Sequence, residues 1–119
     1  MNAKEGGEKM SEQITVGDVF VSKWGYDQTN VDFYEVVGVT ASGKSVWLRY
    51  LQKTVVDETV GTDFVSPVAG SAAGDKFRKT LQPALSGSFP EWVKVSSFQN
   101  AYKTEWDATH GQTAWHYGR

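Results

Sequence analysis

The sequence predicts a mainly β protein: a small SH3-like or OB-like barrel or roll, with a disordered N-terminal arm and an aromatic-rich C-terminal segment. Three observations predict it. Apolar and polar residues alternate over 18–24, 31–40 and 45–51, the period that sends successive side chains to opposite faces of a strand. Clusters of Gly, Ser, Asn and Pro punctuate those stretches, as turns require. Apart from one run of spaced rings near the C-terminus, nothing reads as a long helix. A β-sandwich is the second architecture; it needs about seven strands, more than the pattern supplies.

Residues 1–13 are polar, carry Lys4, Glu5, Glu8, Lys9 and Glu12, and lack periodicity. Such a stretch buries too little apolar area to offset its ordering entropy, so an arm is expected, with residues 14–119 as one domain. The first strand alternates Val19, Val21 and Lys23 with Phe20, Ser22 and Trp24. Gly25-Tyr26-Asp27-Gln28-Thr29-Asn30 is a turn-rich connection. The second strand, Val31 to Thr40, sets Val31, Phe33, Glu35, Val37 and Val39 against Asp32, Tyr34, Val36 and Gly38. Ala41-Ser42-Gly43-Lys44 reverses the chain. A third strand runs from Ser45 towards Val60, too long for one flat sheet, and a bend near Gln52-Lys53 is expected to let it serve two sheets. Gly61 to Gly74 reads as a flexible loop of small and polar residues. Lys76 to Leu81 forms a strand that ends near Pro83, Leu85 to Pro90 a loop, and Glu91 to Ser96 a short strand. From Ser97 two readings stay open: Phe98, Tyr102 and Trp106 on one helical face, or turns followed by a last strand at Gln112 to Tyr117. Phe20, Phe33, Trp47 and Trp92 are the expected core rings.

Composition narrows the function classes. A chain of 119 residues buries roughly 65% of its unfolded surface, enough for one core without staples. It has no cysteine, which removes disulfides, Cys-ligated zinc and thiol catalysis. Twelve Lys+Arg against fourteen Asp+Glu leave a net charge of -2, so no bulk basic field draws in nucleic acid or anionic lipid. No apolar run nears the roughly 20 residues of a membrane span, and the first residues lack the apolar stretch of a secretory signal. These features point to a cytoplasmic protein with no membrane partner, and no cofactor or metal is expected.

Several motifs are weighed against plainer readings. Gly38-Val39-Thr40-Ala41-Ser42-Gly43-Lys44-Ser45 matches the phosphate-cradling G-x-x-x-x-G-K-S pattern. That pattern needs a helix after its lysine, whereas Ser45-Val46-Trp47-Leu48-Arg49-Tyr50 alternates like a strand, so a hairpin turn is expected. His110 and His116 lie six apart with Asp107 and Glu105 nearby, but no metal-ligand spacing or nucleophile accompanies them. Asp32 and Glu35 fall on opposite strand faces, which argues against paired acid–base work, and Asp27 suits a turn. The aromatic load of 13%, five tryptophans included, is more informative. Trp24, Tyr26, Phe89, Trp106, Trp115 and Tyr117 stand in loop or terminal contexts, where rings either plug the fold or anchor a partner. Lys76, Arg78 and Lys79 cluster, as do Lys44, Arg49 and Lys53, either to defend a strand edge or to line a phosphate-binding stripe.

The stretch Gly17 to Val37, with its core Gly25-Tyr26-Asp27-Gln28-Thr29-Asn30-Val31-Asp32-Phe33-Tyr34, resembles a segment of short phage- and plasmid-borne proteins of unassigned role. The resemblance implies a mobile-element setting, in which small acidic domains often act by binding. The expected function is that of a non-enzymatic interaction protein, binding and inhibiting a host protein such as a nuclease or defence component. Its aromatic–polar surface comprises Trp24, Tyr26, Asp27, Gln28, Asn30, Trp106, His110, Trp115, His116 and Tyr117. The alternative is a nucleic-acid or nucleotide binding module that uses Lys76, Arg78 and Lys79 with exposed rings. Assembly as a homodimer is left open.

Overall fold

The computed structural model describes residues 14–25, 28–83, 90–97 and 99–114; the expected arm at 1–13 lies outside the described residues. Every regular element among them is a strand: β1 (Val19–Trp24), β2 (Asn30–Val39), β3 (Ser45–Leu51), β4 (Lys53–Thr59), β5 (Thr62–Pro67), β6 (Ala73–Pro83), β7 (Pro90–Ser96), β8 (Gln99–Thr104) and β9 (His110–Thr113). Strands β1-β2-β3-β6-β7-β8 form a closed barrel, and β4-β5-β9 form a separate three-stranded sheet. All neighbours run antiparallel. Among the described residues no helix is long and apolar enough to cross a membrane.

The expected small barrel is thus the fold, and closure leaves it few open edges to protect. The predicted bend is present as a break at Gln52, between β3 and β4. Its consequence is larger than anticipated, since β3 stays in the barrel while β4 leaves for the second sheet. β5 and β6 make the same departure in reverse. The segment from Ser45 to Pro83 is therefore one long bent hairpin, its base in the barrel wall and its tip in the added sheet.

That architecture corrects the expected loop at Gly61 to Gly74. Thr62–Pro67 is β5, with Val65 fully buried, and β6 begins at Ala73. The small residues Ala69 to Ser71 do form the connection, but Thr62-Asp63-Phe64-Val65-Ser66 had enough alternation to pair. Near the C-terminus the helical reading fails as well. Tyr102 lies on β8, opposite Val21 and Trp92, and Trp106 falls in the turn that follows. The last strand among the described residues is His110–Thr113, starting two residues before the expected Gln112, and the expected strand's residues 115–117 lie outside the described residues.

Alternation on β1 and β2 buries both faces. Inward, Phe20, Tyr34 and Val36 join Ile14, Val46, Leu48, Val93 and Ala101 to fill the barrel. Outward, Val19, Val21, Val31 and Phe33 meet Leu51 and Val65, with Trp106 packed against them. Left uncovered, those outward residues would forfeit about 1.5–3 kcal/mol apiece; the β4-β5-β9 sheet is what covers them. Phe20 and Phe33 are the core rings expected. Trp47 and Trp92 are corrected to half-buried positions outside the barrel, because Val46 and Leu48 claim the inward parity on β3 and Val93 does so on β7.

The G-x-x-x-x-G-K-S stretch is a hairpin turn, as anticipated. Thr40 N–H donates to the Ser45 carbonyl at 3.0 Å, and Ser45 N–H donates to Thr40 Oγ1 at 3.2 Å. No helix follows Lys44, so no helix terminus is available for phosphate. Gly25 is held at φ 130, and a Cβ there would sit 1.9 Å from the Gln28 carbonyl oxygen. The turn after β1 therefore tolerates only glycine.

Candidate functional site

The wall made by β3 and β6 carries its rings and cations outward. Val46 and Leu48 point into the barrel, which leaves Trp47 and Arg49 on the outer face opposite Arg78 and its neighbours. A bulge between Val36 and Gly38 puts Gly38 across from Trp47. With no side chain there, the indole lies close over the backbone: a Cβ on Gly38 would come within 3.2 Å of Trp47 Cδ1. Two cations cover the indole, Lys76 Nζ at 4.9 Å and Arg78 Cζ at 5.9 Å from the ring centroid. Arg49 Nε donates to the Gly74 carbonyl at 2.9 Å, which pins the start of β6.

Beside this wall the barrel has a slot. Among the described residues, pairing between β6 and β7 is confined to Leu81↔Val93, Gln82↔Trp92 and Pro83↔Pro90, and from Ala73 to Thr80 β6 pairs with β3 alone. Tyr50, Phe77, Arg78, Lys79 and Val95 line the opening, a depression of about 270 Å³. Tyr50 is half exposed, and its ring lies 4.8 Å from that of Tyr34 and 5.9 Å from that of Phe77. Tyr34 forms the floor. It is fully buried, accepts a hydrogen bond from Gln99 Nε2 at 3.0 Å, and has its phenol pKa pushed up by burial and by the Tyr50 hydroxyl. The cations Lys76, Arg78 and Lys79 thus stand on the half of β6 that has an open edge, in two groups. Lys76 and Arg78 reach Trp47, while Lys79 leans to the slot.

The residues of the expected aromatic–polar surface divide differently. Trp24 Nε1 donates to Asp32 Oδ2 at 2.7 Å, and Asn30 Nδ2 donates to the Trp24 carbonyl at 3.4 Å. Asp32 also accepts from Gln99 Nε2 at 3.3 Å. Trp106 Nε1 donates to the Gly17 carbonyl at 2.8 Å while its ring packs on the outer core. Both indole N–H groups therefore serve the fold. His110 is half buried, with Nε2 2.9 Å from Thr104 Oγ1 and its ring 5.8 Å from that of Phe33. Burial holds its pKa below the ordinary histidine value, with Lys23 adding to the effect. Gln28 is half buried. Tyr26, Asp27, Trp115, His116 and Tyr117 lie outside the described residues. The two segments meet: Thr113 N–H donates to the Thr29 carbonyl at 2.9 Å, and Thr29 N–H to Thr113 Oγ1 at 2.8 Å.

Asp32 faces the barrel and Glu35 lies on the opposite face of β2, across from Arg49. Among the described residues no three of His, Asp and Glu gather as a metal would require. What the sequence reading missed is the set of rings that serve Lys76, Arg78 and Lys79. Trp47 was assigned to the core, although sharing a strand face with Arg49 marks it as outward. Comparison with protein-family models, with curated proteins and with solved structures finds no match to this chain.

Proposed function

We propose that this chain is a non-enzymatic, cytoplasmic binding module that takes single-stranded nucleic acid on its β3–β6 wall. One observation carries the reading. Lys76, Arg78 and Lys79 share that wall with Trp47, Tyr50 and Phe77, and cations beside rings are what a backbone of phosphates with stackable bases needs. The net charge of -2 rules out a general basic field, so contact is local and the affinity modest. The test is fluorescence anisotropy with a labelled oligonucleotide of about a dozen bases at about 50 mM salt. Binding should fall steeply as salt rises, and Lys76→Ala with Arg78→Ala should flatten that slope. Absence of binding at low salt overturns the reading.

A second reading, binding and inhibition of a host protein, is favoured by β4. All of its residues are exposed, among the described residues it pairs on one side only, and Val55, Val56 and the following Val60 are 45%, 51% and 89% exposed. An open apolar edge of this kind is a template for a partner strand, including one from a second copy. Affinity purification from the host separates the readings. A protein that co-elutes with the native chain but not with Val56→Lys supports the second, and co-eluting nucleic acid alone supports the first.

A further inference from the structure

On the opposite side of the barrel, β1 and β8 present a second concave surface, roofed by the start of β9. It is a groove of about 510 Å³ lined by Val21, Lys23, Asn100, Tyr102, Thr104 and His110, with Lys103 at its rim. A volume in the range of roughly 300–1,000 Å³ is that of small-molecule sites. Its lining is ordered by the strand register. One row across the sheet is apolar and aromatic: Val21 pairs with Tyr102, and Tyr102 pairs with Trp92. The Trp92 and Tyr102 rings stack at 27° with centroids 5.8 Å apart, while Tyr102 remains 50% exposed. The adjacent row is polar and cationic: Asn100 pairs with Lys94, and Lys23 lies beyond it on β1. Thr104 and His110, joined at 2.9 Å, close the far side with hydroxyl and imidazole.

We propose that this groove is a mononucleotide site, independent of the β3–β6 wall. The ligand this arrangement fits has a flat ring to lie against Tyr102 and a phosphate to meet the amine of Lys23 beside Asn100. Asn100, which both donates and accepts, lies in the polar row two residues from Tyr102 on β8 and serves the junction of ring and phosphate. Stacking on a protein ring tolerates any base, so the groove discriminates by size and charge rather than by base identity.

The test titrates the full-length chain with AMP, adenosine and inorganic phosphate in turn, followed by calorimetry and by tryptophan fluorescence. AMP should bind saturably at one site and quench fluorescence, with adenosine and phosphate each at least about tenfold weaker. Tyr102→Ala and Lys23→Ala alter exposed side chains, so thermal melts should stay close to the native one while AMP affinity falls about tenfold for each. Lys76→Ala with Arg78→Ala should leave AMP affinity unchanged, whether or not it alters oligonucleotide binding. The proposal is overturned if AMP does not bind, if phosphate alone binds equally well, or if Tyr102→Ala and Lys23→Ala bind AMP like the native chain.

Discussion

Two walls of one barrel meet different fates. On β1 and β2 the outward residues are Val19, Val21, Val31 and Phe33, and the chain returns from two directions, through β5 and through Trp106, to cover them. On β3 and β6 the outward residues include Trp47, Arg49, Lys76 and Arg78, and among the described residues it is Lys76 and Arg78 that lie over the indole. Inward, Phe20, Tyr34 and Val36 on one wall and Val46 and Leu48 on the other are fully buried. Alternation thus decides only that a strand has an inner face. The chemistry of the outer residues decides whether that wall acquires another layer or stays open to a ligand.

Substitution of one ring from each wall breaks the comparison most directly. Phe33→Ala opens a cavity between barrel and sheet and should cost about 3–5 kcal/mol, read as a lower denaturant midpoint with β9 amides exchanging first. Trp47→Ala should cost about 0.5–1 kcal/mol, the scale of an exposed cation–π contact. Comparable losses would mean that the β3–β6 wall is structural after all. Next in size is Gly25→Ala, at the turn that holds the covered wall against β9. Its left-handed backbone and the blocked approach to the Gln28 carbonyl should cost about 3 kcal/mol, measured by thermal melting.

The smallest effect belongs to His110, which sits where sheet meets barrel. Its pKa is lowered in the fold, chiefly by burial and then by Lys23. Above about pH 6.5 the ring is neutral in both folded and unfolded chains, and its contribution to stability is complete. As pH falls below that value the unfolded chain takes up the proton first, so stability declines until the folded ring is protonated too. His110→Gln should flatten this slope in urea unfolding between about pH 6.5 and 5; an unchanged slope would assign the acid sensitivity elsewhere.

Much of the barrel was legible because β1, β2 and β3 alternate strongly and because the run from Ser45 was too long for one sheet. β5 was not, since the surrounding Gly, Ser, Ala and Pro outweighed six pairing residues. The helical spacing of Phe98, Tyr102 and Trp106 was a coincidence of ring positions, with Tyr102 on a strand and Trp106 in a turn. Large rings favour burial, which points Trp47 and Trp92 to the core, but parity with Arg49 and Lys94 places them outward. The groove of Lys23, Tyr102 and His110 left no local pattern at all. Its residues come from three strands spread over most of the chain, and only closure of the barrel brings them together.

Among the described residues, the β6–β7 junction carries three rungs, all at one end, against six on each of the β1–β2 and β2–β3 junctions. A ring of strands yields where its hydrogen-bond ladder is shortest. The stretch from Phe77 to Thr80 should therefore exchange its amides before β1 and β2 do, read by hydrogen–deuterium exchange.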